Sequence, residues 1–201
     1  MKKLLLYLLI GTCLVSCRED EVVVPTEYEI IPEEVKPGQK IIGMYLLNEG
    51  NMGSNKSTLD YVDFSQGYYV RNLYAERNPH VIKELGDVGN DIQIYGSRIY
   101  AVINCSNKIE VLDARTAHRI GQVNIPNVRY VRFHKGYAYA TSYVGPVQLN
   151  NPDAVQGAVY KIDTLSLKPV AKCTVGFQPD ELCVLGQYIY CLLYTSDAAD
   201  E

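Results

Sequence analysis

Tryptophan is absent from the 201 residues, and phenylalanine and histidine occur only three times each. His80, His118 and His134 stand far apart with no ligand-spaced cysteines or carboxylates around them, so no zinc or other transition-metal site is expected. No G-x-S-x-G elbow, Walker loop or Rossmann glycine pattern is present, which leaves no sequence ground for a serine hydrolase, a nucleotide phosphohydrolase or a dinucleotide enzyme. No catalytic residue and no cofactor is therefore assigned. Asp87, Asn90 and Asp91 in "GDVGND" lack the ligand order and distant glutamate of an EF-hand, so they read as solvated loop acids rather than a calcium site. The net charge is −4 and the basic residues form no cluster, which argues against a nucleic-acid partner. No apolar run is long enough to cross a bilayer as a helix.

What the chain has instead is tyrosine, 17 of them, with valine and isoleucine in short runs between polar clusters. Aromatic and β-branched residues fit the pleated surface of a sheet. The expectation is an all-β protein.

The N-terminus, "MKKLLLYLLIGTCLVSC", joins a basic start to an apolar core from Leu4 to Ile10. That core is too short for a spanning helix and reads as a signal peptide over 1–16. Ser16 before Cys17 resembles the lipobox of bacterial lipoproteins, which implies lipidation of Cys17 and anchoring through outer-membrane lipid. Acyl chains contribute about 0.8 kcal/mol per buried methylene, so a multiply acylated cysteine holds a protein on a membrane without a helix. The stretch 17–40 is acidic and punctuated by proline, and Glu19, Asp20 and Glu21 resemble the surface-export signal of Bacteroidetes lipoproteins. It is expected to be a tether, with a reach of roughly 25 Å if flexible.

From 41 onward the chain repeats itself. Asp63, Asp113 and Asp163 fall fifty residues apart in "LDYVDFSQGYYV", "IEVLDARTAHRI" and "VYKIDTLSLKPV". Gly96, Gly136 and Gly186 each precede an alternating run that ends at Tyr100, Tyr139 and Tyr190. The glycines suit tight turns between strands, and the aspartates suit turns in which a carboxylate accepts backbone N–H bonds. Four short strands repeated at this period predict β-propeller blades. An ordinary β-sandwich would carry strands without repeating landmarks.

"MYLLNEGNMGSNKSTLDYVDF", "LGDVGNDIQIYGSRIYAVINCSNKIEVLDARTAHRIG" and "IPNVRYVRFHKGYAYATSYVG" resemble the YncE-like propeller lipoproteins of Bacteroidetes. The resemblance implies a seven-bladed ring, of which 41–190 hold about three blades and the first strand of a fourth. It also implies surface nutrient binders, cobalamin-binding propellers among them, that serve a TonB-dependent outer-membrane transporter. The final "CLLYTSDAADE", 191–201, resembles a translated sequencing adapter, so native sequence is expected to stop near Tyr190.

With Cys13 in the signal, Cys17 lipidated and Cys191 in the tail, Cys105, Cys173 and Cys183 remain. They read as buried free thiols, with a Cys173–Cys183 disulfide as the alternative. The loops expected to enter the innermost strands supply the candidate ligand-binding residues: Asn48, Glu49 and Asn51; Asn90 and Asp91; Asn127, Arg129 and Tyr130; Gln178, Asp180 and Glu181. Amides, charges and an aromatic suit hydrogen bonding and stacking on a large polar ligand. The leading functional expectation is a cell-surface lipoprotein that captures a small-molecule nutrient, a cobalamin-like corrinoid by resemblance, without making or breaking bonds. The alternatives are a protein- or glycan-binding adhesion propeller and, third, a propeller enzyme of lactonase or quinoprotein type.

Overall fold

The computed structural model describes residues 26–30, 41–81, 84–147 and 153–194. Cys17, the signal peptide and 195–201 lie outside the described residues. The fold is all-β: fourteen described strands and one short helix make three four-stranded antiparallel sheets and a two-stranded hairpin. Successive four-stranded antiparallel sheets are the blade construction of a β-propeller.

The second sheet contains β5 (Gly89–Tyr95), β6 (Arg98–Ile103), β7 (Lys108–Asp113) and β8 (Arg119–Asn124), neighbours in that order. The third repeats it with β9 (Val128–His134), β10 (Tyr137–Ser142), β11 (Ala158–Asp163) and β12 (Lys168–Thr174). A fourth unit begins with β13 (Pro179–Leu185) and β14 (Tyr188–Leu193), so it contributes a hairpin rather than the single strand expected. β14 continues past Tyr190 and pairs Leu193 with Pro179.

The repeat landmarks serve as expected. Gly96, Gly136 and Gly186 all have positive φ in the two-residue turns that join first to second strand. Asp63, Asp113 and Asp163 each fold a turn after the third strand of the set. Oδ1 of Asp113 accepts from the N–H of Arg115 and of Thr116, both at 2.9 Å. Oδ1 of Asp163 accepts from Leu165 at 3.1 Å and Ser166 at 2.7 Å. These bonds to the charged form hold both carboxyls below the usual aspartate range.

The first sheet keeps the landmarks but not the strand order. It comprises β1 (Tyr28–Ile30), β2 (Gly43–Asn48), β3 (Thr58–Asp63) and β4 (Tyr68–Val70) in the order β1-β4-β3-β2. Gly43 faces Asp63 as Arg98 faces Asp113 and Tyr137 faces Asp163. β2 therefore corresponds to β6 and β10, the second strand of a unit, with Tyr45 matching Tyr100 and Tyr139. No described strand lies inside β2. On the outer side β1 comes from the stretch expected to be pure tether and pairs with β4. Arg71 fixes it twice, its N–H on Glu27 O at 2.8 Å and its Nη1 on Glu27 Oε2 at 2.8 Å.

The core lies between sheets. Alternation along β6 sends Ile99, Ala101 and Ile103 toward Leu59 of the first sheet, and Tyr100 and Val102 toward Val131 and Ala140 of the third. A sheet covered on both faces explains the nearly unbroken apolar run "IYAVI". Full burial stabilises each large aliphatic side chain by about 1.5–3 kcal/mol. Beyond the fourth unit no described sheet follows, and Leu185, Tyr188, Tyr190 and Leu192 are exposed. Cys173 and Cys183 are likewise exposed and free, and Cys105 is half-buried and free. The expectation of buried thiols fails for the first two because β12 is an exposed outer strand and β13 lies on the open side of the fourth unit.

Candidate functional site

Each of the innermost strands β5, β9 and β13 is entered through a residue in left-handed conformation: Val88 (φ 61°), Asn127 (φ 42°) and Gln178 (φ 44°). Each then carries a β-bulge within its first residues. One partner step spans two residues from Gly89 to Asp91, and two partner steps span three residues from Val128 to Val131 and from Pro179 to Leu182. The polar pairs Asn90-Asp91, Arg129-Tyr130 and Asp180-Glu181 sit at these bulges. An extra residue breaks the strict alternation of faces and re-aims side chains, a device common beside binding sites.

The three bulges bring the pairs together. Arg129 donates from Nε to Asp180 Oδ1 at 3.1 Å, and its guanidinium lies 5.0 Å from the Tyr143 ring and 5.9 Å from the Tyr130 ring. Asn90 Nδ2 donates to Arg129 O at 2.6 Å. Arg132 donates to Asp91 Oδ2 at 2.7 Å and reaches within 4.0 Å of Glu181 Oε1. Asp91 also accepts from Val131 N at 2.9 Å and Gln93 Nε2 at 3.0 Å, so its carboxylate braces neighbouring strands. Burial pushes the Tyr130 and Tyr143 hydroxyls up, against the pull of Arg129, and both rings are protonated donors at neutral pH. The outcome is a polar cluster in which the Arg129 guanidinium lies within cation–π distance of two tyrosine rings.

Other predicted residues take different places. Asn127 braces loops: its N–H meets Asn107 Oδ1 at 2.7 Å and its Nδ2 meets Gly145 O at 2.8 Å. Gln178 is buried, and its Nε2 has no partner among the described residues. The expectation that Asn48, Glu49 and Asn51 enter an innermost strand is not met, since they leave β2, a second strand. They reach the same end of the sheets, where Glu49 O accepts from Gly89 N at 3.0 Å. Asn48, however, is spent inside its own sheet on Thr58 and Asp60. Arg132 and Tyr143 were not anticipated. The alternation in "VRYVRFH" pointed to Arg132, whereas Tyr143 had only its position after β10 to mark it.

A cavity of about 600 Å³ lies between the first and second sheets, lined among others by Tyr74, Glu84, Lys108, Glu110 and Arg119. Glu110 is fully buried there and is paired with Lys108 at 2.8 Å and with Arg119. Among the described residues no group of three histidine, cysteine or acidic side chains gathers as a metal centre.

No family model and no curated protein matches this sequence. Solved structures do resemble it. Hydrazine synthase of Kuenenia stuttgartiensis matches at 17% identity and TM-score 0.45, over 69% of this chain and 36% of that one. A europium-containing methanol dehydrogenase matches at 12% identity and TM-score 0.47, over 73% and 27%. Pyrococcus horikoshii acylaminoacyl peptidase matches at 14% identity and TM-score 0.49, over 77% and 27%. The chain thus spans little more than a third of these proteins at most.

Proposed function

We propose that this chain is part of a surface-tethered, non-enzymatic binding protein that captures a large polar nutrient. The observation that supports this reading is the bulged start of three consecutive innermost strands, which converges Asn90, Arg129, Tyr130 and Asp180 on one face. Each of these bulges places a polar pair at the same end of its unit. The ligand class follows from the residues: a guanidinium flanked by rings, with amide and carboxylate partners, suits a ligand with amide side groups and a flat face. A cobalamin-like corrinoid meets that description, and the sequence resemblance suggests it. Lipidation of Cys17 at the outer-membrane surface and hand-over to a TonB-dependent transporter complete the proposal.

The test is titration of the ectodomain with cyanocobalamin, followed by heat and by the visible corrinoid spectrum, in the native sequence and in Arg129→Ala. Saturable binding that Arg129→Ala weakens at least about tenfold is the expected result. Silence in both signals removes the corrinoid. Retained capture of an envelope protein or glycan would then favour the adhesion reading.

A further inference from the structure

We propose that the cavity between the first and second sheets is a separate binding site, and that it takes a short peptide by its two charged ends. The proposal is independent of the Arg129 cluster, none of whose residues lines this cavity.

The cavity is built by a segment that the repeat does not need. The link from a fourth strand to the next first strand is 125–127 between the second and third sheets and 175–178 between the third and fourth. Between the first and second sheets it is 71–88 and contains the short helix Leu73–Arg77. Tyr74, His80 and Glu84 of this link line the cavity together with Lys108 and Glu110 of β7 and Arg119 of β8. In the third unit, counting back from the turn aspartate, Ala158 and Tyr160 take the places of Lys108 and Glu110. There Tyr160 packs against an apolar cluster, so a charged cavity belongs to this one junction and not to the blade construction.

The charges of the cavity are incompletely matched. Glu84 is 7% exposed, and neither of its carboxylate oxygens has a hydrogen-bond partner among the described residues. Lys56 Nζ stands 3.9 Å from Oε1, beyond hydrogen-bond length. A buried carboxylate without donors is costly, and native proteins satisfy such groups with a partner, a water or a ligand. Elsewhere in the cavity the imbalance is reversed. Lys108, at 2.8 Å, and Arg119 share the single carboxylate of Glu110, which leaves positive charge in excess.

The occupant must therefore bring a cationic donor to Glu84 and an anion to Lys108 and Arg119. A peptide carries both, as its ammonium and its carboxylate. Asn55 and Ser106, which also line the cavity, add an amide and a hydroxyl of the kind that pair with peptide N–H and C=O groups. A volume of about 600 Å³ is that of a site for a drug-sized ligand, more than a free amino acid fills. His80 and Gln122 are exposed and mark the entrance.

The test is titration of the full chain with trialanine, N-acetyltrialanine and trialanine amide, followed through the amide NMR signals of Glu84, Glu110 and Arg119. Trialanine is expected to bind saturably with a Kd of about 1 mM or tighter, and each blocked form, which lacks one charge, at least about tenfold more weakly. Glu84→Gln should bring trialanine down to the level of N-acetyltrialanine. It should also raise the melting temperature of the ligand-free protein, because it removes a buried charge that lacks donors. No saturable shift up to about 10 mM trialanine, or blocked forms that bind as tightly as trialanine, overturns the proposal. So does a Glu84→Gln protein that melts below the native chain, which would make the carboxylate a structural partner of Lys56.

Discussion

Arg129 Nε lies 3.1 Å from Asp180 Oδ1, which ties the innermost strand of the third unit to that of the fourth across 51 residues of chain. Both partners are partly solvated, with side-chain exposures of 22% and 38%. The pair therefore contributes little to stability, and its conservative removal separates binding from folding. A double-mutant cycle of Arg129→Ala and Asp180→Asn, read by urea unfolding, is expected to give a coupling of about 1 kcal/mol or less. A larger coupling would make the pair a structural element rather than part of a binding face.

The turn aspartates set an acid limb. Bonds from backbone N–H groups depress the folded pKa of Asp113 and Asp163 below the unfolded value of about 3.9. A depressed folded pKa gives stability that is fully present above the unfolded value and is lost as pH falls through the folded one. The melting temperature should therefore fall as pH is taken from about 5 to about 2.5, and Asp113→Asn with Asp163→Asn should flatten that fall. An unchanged acid limb in the double variant would show that these two carboxylates do not govern it.

Glu110 is buried between the first two sheets with Lys108 and Arg119 as partners. Glu110→Ala leaves Lys108 and Arg119, 18% and 31% exposed, without the buried carboxylate they share and is expected to cost about 1–3 kcal/mol. The pair of changes Glu110→Leu and Arg119→Met should recover a large part of that loss. Chemical denaturation of the three proteins decides it, and a double variant as unstable as the single would mean the ion pair itself supplies net stability.

The hairpin from β9 to β10 turns through Lys135 (φ 46°) and Gly136 (φ 82°), both in the left-handed region. A side chain there costs about 1–2 kcal/mol unless it is asparagine or glycine. Gly136→Ala should lower stability by about that amount, although nothing lies near the added methyl. Lys135→Asn should raise stability by a few tenths of a kcal/mol. Opposite signs for two neighbouring substitutions would establish that backbone conformation, not packing, controls this turn.

Strand content and period were legible because they are local. Asp113 bonds residues two and three positions ahead, and Gly136 turns between adjacent strands, so each leaves a mark in sequence. The phase of the first unit was not legible. β1 has three residues, and it pairs with partners about forty positions away, which no alternation reveals. The candidate site was half legible for a related reason. Polar residues at the starts of β5, β9 and β13 could be read, but the bulges that bring Arg129 and Tyr130 to one face depend on register with a partner strand. The misplaced loop at Asn48 has the same origin. Loops that enter a first strand and loops that leave a second strand open on the same end of a sheet, and their compositions do not differ.

Asn48 offers the sharpest separation of structure from binding. Its Nδ2 donates to Asp60 Oδ2 at 2.7 Å, and Asp60, nearly buried, also accepts from Tyr69 Oη at 2.7 Å and from Asn72 N at 2.8 Å. Asp60 thus joins β2, β3, β4 and the start of α1 (Leu73–Arg77), and its bond raises the Tyr69 pKa. Asp60→Ala takes the acceptor from four donors, Thr58 Oγ1 at 3.4 Å being the fourth, of which Asn72 N is buried, and an unsatisfied buried group costs about 1–3 kcal/mol. Asn48→Ala removes one donor of several and should cost about 1 kcal/mol. Neither change touches the Arg129 cluster. Calorimetric melting should therefore report losses in the order Asp60→Ala above Asn48→Ala, while ligand titration on the folded Asn48→Ala protein matches the native chain. An affinity loss in Asn48→Ala equal to that of Arg129→Ala would return Asn48 to the binding face and place the site across the first sheet as well.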